Sequence, residues 1–502
     1  MRYRSTRNPD LSLTASQVIL QGISEEGGLF VPESLPNLRE EFSALSQMDY
    51  SALAKRIFSC FLTDFSQEEI DACVDSAYAA EKFGGKDPVA IVPLTGQGEN
   101  KYLLELWHGP TCAFKDMALQ ILPHFLTKAM AKTAPGKRTV ILTATSGDTG
   151  KAALEGFCDV PGTEILVFYP QNGVSPMQKR QMETQEGENV TVCAIDGNFD
   201  DAQTAVKRVF TDSAMRDALA RHNMVFSSAN SINWGRLLPQ IVYYFYAYFQ
   251  LVRTGTVSMG DAVNVAVPTG NFGNLLAAYY ASQMGLPVQK LICASNANRV
   301  LTDFIHTGTY DRQREFFTTM SPSMDILISS NLERLLFSLS GEDSETLSCW
   351  MKELSKTGMY HVSSEVAQKV KKSFFGGACN DDATAGVIRD LWENERYLCD
   401  PHTAVGVEVY RQYVKETGDS VTPTIIASTA SPYKFSKSVL ESLEMPVPED
   451  EFEAMAALQN LSGVEAPKQL WALQEKPVRF RETVPQEQAE AFIRAAVGIG
   501  DL

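Results

Sequence analysis

The sequence predicts an α/β protein, and two observations carry that expectation. From about residue 138 onward, short runs rich in β-branched residues recur, and stretches with apolar residues at helical spacing follow them. The runs are too apolar for half-exposed strands, so they read as buried parallel strands. Strands alternating with helices build βαβ units, whose sites lie at the carboxyl ends of the strands.

The first hundred residues read as mostly helical, with amphipathic stretches at 46–61 and 67–80 after a turn-rich connector at 22–33. Strands are then expected at 139–143 (TVILT), 164–169 (EILVFY), 190–195 (VTVCAI), 263–267 (VNVAV) and 288–294 (VQKLICA). Helices are expected at 149–157, 176–185, 199–219 and 274–283. Residues 332–339 and 366–374 also have helical spacing. A last strand at 424–428 (TIIAS) leads into a helix near 433–443.

With 502 residues the chain has room for two to four domains. We expect an amino-terminal unit at 1–95, a larger α/β unit from 96–137 and 255–445, a smaller one at 138–254, and an extension at 446–502. The net charge of −17, without a basic stripe, argues against nucleic acid as a partner. Nine scattered cysteines include no C-x-x-C pair, so neither a metal site nor a disulfide framework is expected. The longest apolar run, 241–251, is about half the ~20 residues that a membrane span needs. A cytoplasmic protein without a membrane partner is the expectation, and a monomer is favoured over a homodimer.

Five motifs carry chemistry. In 106–120 (LWHGPTCAFKDMALQ), Lys115 stands at a loop-to-helix junction beside Phe114. Desolvation and a helix start both disfavour an ammonium, leaving the free amine that a Schiff base requires. Taken alone, this is also an ordinary surface lysine. The turn Thr145-Ser146-Gly147-Asp148-Thr149 follows a strand and offers hydroxyls and N–H groups to an anion. It is not a nucleotide-phosphate loop, which would need Gly at 145 and Ser or Thr at 152. A carboxylate suits it, and a plain capped turn suits it equally.

Gly270-Asn271-Phe272-Gly273-Asn274 also follows a strand. Two glycines three apart let backbone approach a phosphate at a helix start, expected at Leu275. Asn230 and Ser231 precede a long apolar helix with Arg236 near its first turn; they suggest a second anion site, or else a capped helix with a solvated Arg, the commoner case for isolated residues. Thr429, at the end of the last strand, offers a neutral hydroxyl to a heteroaromatic nitrogen, or else caps a helix.

Together with YRSTR at 3–7 and VILQGISEEGGLFVP at 18–32, the segments HGPTCAFKD, TSGDTG, NSINWGR, PTGNFGN and STASPYKF occur in an order that resembles the threonine synthase family. That resemblance spans nearly the whole chain. It implies a fold type II pyridoxal-phosphate enzyme, similar to the tryptophan synthase β subunit, with two interleaved parallel-sheet domains and a mostly helical amino-terminal domain. It further implies pyridoxal 5'-phosphate as cofactor, linked through Lys115 as a Schiff base, with its phosphate held by 270–274 and its ring nitrogen at Thr429. Thr145, Ser146, Gly147, Asp148 and Thr149 would hold the substrate carboxylate, and Asn230, Ser231 and Arg236 the phosphate of O-phospho-L-homoserine.

The implied reaction is γ-elimination of phosphate and β-addition of water, giving L-threonine. A phospholyase releasing a 2-oxo acid, or a non-catalytic metabolite-binding homologue, would carry the same motifs. Two departures stand out. Ser431 occupies a place where many relatives carry His. Asp148 sits where shorter relatives place Asn against the cofactor phenolate; a carboxylate there would repel it, so Asp148 is either turned away toward backbone donors, the preferred reading, or protonated. Cys112 reads as a small buried residue.

Overall fold

The computed structural model describes residues 1–500 apart from Lys86, Thr95, Gln97, Gly98, Asn172 and Asn198. Among the described residues, two larger sheets organise the chain. One has six strands in the order Phe374–Ala378, Val288–Ser295, Val263–Pro268, Thr424–Ser428, Lys101–Glu105 and Ala90–Leu94. Neighbours run parallel except for the final edge strand, which is antiparallel to Lys101–Glu105. The other has five parallel strands in the order Thr483–Pro485, Val190–Asp196, Thr163–Pro170, Arg138–Ala144 and Met224–Ser228. All six residues of Val263–Pro268 are buried, as a parallel strand covered on both faces requires.

Helix Trp234–Arg253 links the two halves. Most of its residues are buried, so the apolar run at 241–251 is core. No helix among the described residues is long and apolar enough to cross a membrane. Asn233 caps this helix through Gly235 N at 2.9 Å, and its amide nitrogen donates to Ile19 O and Ser228 O at 3.0 Å each. One side chain thus starts the helix and fastens the amino-terminal helix Ala15–Gln21 to the strand end at Ser228.

Several elements differ from the sequence expectation for local reasons. The first long helix is Tyr50–Phe61 and begins at Tyr50, because Asp49 caps it through Ala52 N. The span 199–219 divides into Phe199–Thr211 and Ser213–Arg221, because Asp212 turns extended and caps the second piece. The helix expected over 366–374 is Ser364–Ser373, and Phe374 instead opens an edge strand of the six-stranded sheet. The helix after Phe272 starts at Gly273, two residues before Leu275. The helix expected near 433–443 is a short 3-10 turn, Pro432–Phe435, followed by Ser436–Ser442.

Candidate active site

Each of the five motifs lies just beyond the carboxyl end of a parallel strand, where open α/β sheets place their ligands. Lys115 precedes the short helix Asp116–Leu119. Its loop is closed from within: Asp116 accepts Thr111 N at 2.8 Å and Thr111 Oγ1 at 2.7 Å. The loop is fixed from outside by Phe114 N, which donates to Thr429 O at 2.8 Å. The Lys115 side chain is 11% exposed, with Nζ 3.3 Å from Asp148 Oδ2 and 4.8 Å from the Phe114 ring centre. Burial lowers the pKa of this amine, and the Lys434 and Arg236 charges lower it further against the pull of Asp148. The site holds a lysine biased toward its nucleophilic, uncharged form.

Asp148 contradicts the expectation that it turns to backbone donors. Its carboxylate meets side chains instead: Lys434 Nζ at 2.6 Å, Gln178 Nε2 at 2.8 Å, Ser323 Oγ at 3.1 Å and Lys115 Nζ at 3.3 Å. Burial alone would raise its pKa, yet the Lys434 and Lys115 ammoniums hold it well below the usual carboxylate range. The physical reason is a buried lysine that the turn sequence gave no sign of.

Two adjoining lobes open around Lys115. The first is lined by Phe114, Asp148, Arg236, Gln240, 268–274, Met324, His402 and Thr429. The second is lined by Thr145, Ser146, Lys207, Phe210, Asn230 and Ile232. Lys115, Thr149, Ser231, Asn271 and Ser323 line both. Gly147 lines neither and shapes its turn instead, with φ +134° and Gln178 Cδ 2.4 Å from where a Cβ would sit. The Thr145 hydroxyl is engaged in the same turn, accepting Gly147 N at 3.0 Å and Gly150 N at 2.8 Å.

The first lobe presents donors of a kind that suits an anion. Phe272 takes a left-handed conformation (φ +61°) and brings 270–272 to the start of helix Gly273–Gln283. Asn274 Oδ1 accepts from Tyr243 at 2.7 Å and from Tyr244, which points Nδ2 elsewhere. That nitrogen is buried without a partner, as is Arg236 Nε. Arg236 itself is 2% exposed, anchored by Nη1 to Ala229 O at 2.6 Å, and burial lowers its pKa to about 10. Orphaned buried donors are costly unless an acceptor meets them. These sit beside a helix start and the Lys115 amine, a set that fits an aldehyde carrying a phosphate. Arg236, expected beside Asn230 in a second anion site, therefore lines the same lobe as 270–274.

Sequence reasoning missed four residues here. Lys434 and Ser323 hold Asp148, and Lys207 brings a cation to the second lobe. His402 lines the first lobe, its Nδ1 2.9 Å from Asp400 Oδ1 and its Nε2 accepting Ser323 N at 3.2 Å. The Asp-Pro-His run at 400–402, a helix start with a capping Asp, was the available signal for His402. Ser431 is buried, and its hydroxyl caps the 3-10 turn through Tyr433 N. Cys112 is buried with φ +59°, and burial pushes its thiol up to about 12, so it has no thiolate character.

The paired sheets and the buried lysine at their strand ends are those of a fold type II pyridoxal-phosphate enzyme, and residues 87–427 match the family model described as pyridoxal-phosphate dependent enzyme. Residues 2–78 match the model for the threonine synthase N terminus, and 403–493 that for the threonine synthase C-terminal region. The chain belongs to the threonine synthase family. It is 38% identical to threonine synthase of Pseudomonas aeruginosa over 441 residues, covering 88% of this chain and 90% of that protein. It is likewise 38% identical to human threonine synthase-like 1 over 441 residues, 86% of this chain, but spans only 58% of that protein's length. The crystal structure of PLP-bound threonine synthase from Brucella melitensis superposes with a TM-score of 0.85 at 35% identity, covering 99% of each chain.

Proposed function

We propose that the chain converts O-phospho-L-homoserine and water to L-threonine and phosphate, with pyridoxal phosphate held on Lys115. The observation that carries this reading is the two-lobed cleft around Lys115, with unpartnered buried donors in the first lobe and hydroxyls, amides and Lys207 in the second. Gly270, Asn271, Phe272, Gly273, Asn274 and Arg236 would hold the cofactor phosphate, and Thr429 would meet the ring nitrogen. When bound, pyridoxal phosphate supplies an electron sink that lets C–H bonds beside the substrate nitrogen ionise.

The second lobe takes the rest of the substrate. Ser146 and Thr149, at the start of helix Asp148–Phe157, hold the α-carboxylate. Asn230, Ser231 and Lys207 hold the substrate phosphate while its C–O bond breaks, the moment at which preorganised donors contribute most. Once displaced from the cofactor, the Lys115 amine takes the α-proton and carries protons to and from Cβ and Cγ, for which its lowered pKa suits it.

The test is to supply the purified protein with pyridoxal phosphate and O-phospho-L-homoserine and identify products by NMR. Threonine and phosphate in equal amounts support the reading. A 2-oxo acid and ammonia instead of threonine would overturn the hydration step, and no phosphate release would overturn the reading altogether.

A further inference from the structure

Beyond the residues already given roles, Lys434 is a fully buried lysine beside the site. Its side chain is 0% exposed, yet it ends in an ion pair with Asp148. It stands in the 3-10 turn Pro432–Phe435 that follows strand Thr424–Ser428, and donates to Asp148 Oδ1 at 2.6 Å and to Thr111 O at 3.1 Å. Thr111 belongs to the loop that carries Lys115, and Asp148 begins the helix on the opposite sheet. Lys434 therefore joins both walls of the site without lining either lobe.

Asp148 thus lies between two lysines, one at each oxygen: Lys434 at Oδ1 and Lys115 at Oδ2. The Lys434 contact is the shorter by 0.7 Å (3.3 minus 2.6). Gln178 adds a neutral donor to Oδ1 and Ser323 one to Oδ2. We propose that Lys434 is a positioning residue that claims the Asp148 carboxylate, so that Lys115 faces a carboxylate already neutralised and keeps its nitrogen free to bond the cofactor. The inference rests on the reading of Lys115 as the cofactor lysine.

The charge balance explains why the arrangement needs both lysines. A lone carboxylate 3.3 Å from Lys115 would act as its counter-ion and stabilise the protonated nitrogen, whether amine or imine. A lone buried carboxylate would itself be costly. Adding one buried cation on the far oxygen resolves both. The charged and titratable groups around Lys115 include Asp148, Lys434 and Arg236, with Lys207 in the second lobe and Asp116, Cys112 and His402 in the surrounding walls. Lys434 is the member that contacts Asp148 from the side away from the cleft.

The test uses the holoenzyme and reads the pH midpoint of the Schiff-base absorbance of bound pyridoxal phosphate. The wild type must show this band; its absence would sink the reading of Lys115 and leave the Lys434 question distinct. In Lys434→Met the midpoint should rise by about one pH unit, the effect of removing one nearby positive charge. In Asp148→Asn it should fall by about as much. The double variant Asp148→Asn/Lys434→Met should return close to the wild-type midpoint, and Lys434→Arg should hold it.

An unmoved midpoint in Lys434→Met would overturn the proposal. So would a double variant that titrates like Asp148→Asn alone. Removing both partners of a buried ion pair is tolerated better than removing one, so the double variant keeps the comparison available if Lys434→Met does not fold.

Discussion

The backbone N–H of Phe114 donates to the carbonyl of Thr429 at 2.8 Å. The contact lies just past the end of strand Thr424–Ser428, and an isolated antiparallel bridge joins Ala113 to Ala430 beside it. It sets Lys115 against Thr429 through main chain alone, so the threonine side chain is free to do something else. We expect Thr429→Val to keep the borohydride-reducible chromophore while kcat/KM falls about ten-fold, the value of one hydrogen bond of about 1.4 kcal/mol. Absorbance spectra and steady-state kinetics on the same preparation check this.

Asn274 offers its amide nitrogen to the first lobe because two tyrosines occupy its oxygen. Asn274→Asp replaces that donor with an acceptor bearing negative charge, next to the place assigned to a phosphate. The dissociation constant for pyridoxal phosphate should rise about 100-fold, the loss of a charge-assisted hydrogen bond. Equilibrium dialysis of the variant against the cofactor measures it.

The aromatic side of helix Trp234–Arg253 holds the amino-terminal region in place. Phe245 is fully buried and meets the Phe42 ring edge-on at 6.2 Å, and Phe249 meets it at 5.4 Å. Phe245→Ala leaves a cavity that close-packed neighbours cannot fill and should cost about 3–5 kcal/mol. Urea unfolding followed by tryptophan fluorescence reports the loss.

His124, in helix Leu122–Thr133, has its pKa pushed down to about 4 by burial, aided by Lys82 and Lys128. Unfolded, it would titrate near 6.5. The folded state therefore binds fewer protons between these values, and stability is lost as pH falls through that window. His124→Gln removes this contribution. Between pH 7 and pH 5 the variant should lose less stability than the wild type, as read from urea midpoints.

The α/β class and all five strand-end motifs were legible because buried parallel strands need continuous apolar runs and their turns need small polar residues. Strand Phe374–Ala378 was not legible: its sequence, FFGGA, has poor strand propensity. Its glycines answer to packing from elsewhere, since a Cβ on Gly377 would sit 2.5 Å from Val409 Cγ1. The three-residue strand Thr483–Pro485 is too short to show a period and gains its partner only across nearly 300 residues of chain.

The same limit applied to the site. Lys115 and the 270–274 turn carry local signatures, whereas Ser323 and Lys207 reach the cleft from distant segments whose local sequence marks no function, and the STASPYKF segment does not show that its Lys434 meets Asp148. The destination of the Asp148 carboxylate was misjudged for that reason: its cationic partner lies 286 residues further along the chain.

The most direct measurement is to reduce the pyridoxal-phosphate-loaded protein with borohydride, digest it and map the modified peptide by mass spectrometry. The adduct should fall on Lys115 and vanish in Lys115→Ala together with threonine formation. An adduct on Lys434 or Lys151, or a Lys115→Ala protein that still turns over O-phospho-L-homoserine at the wild-type rate, would contradict the account.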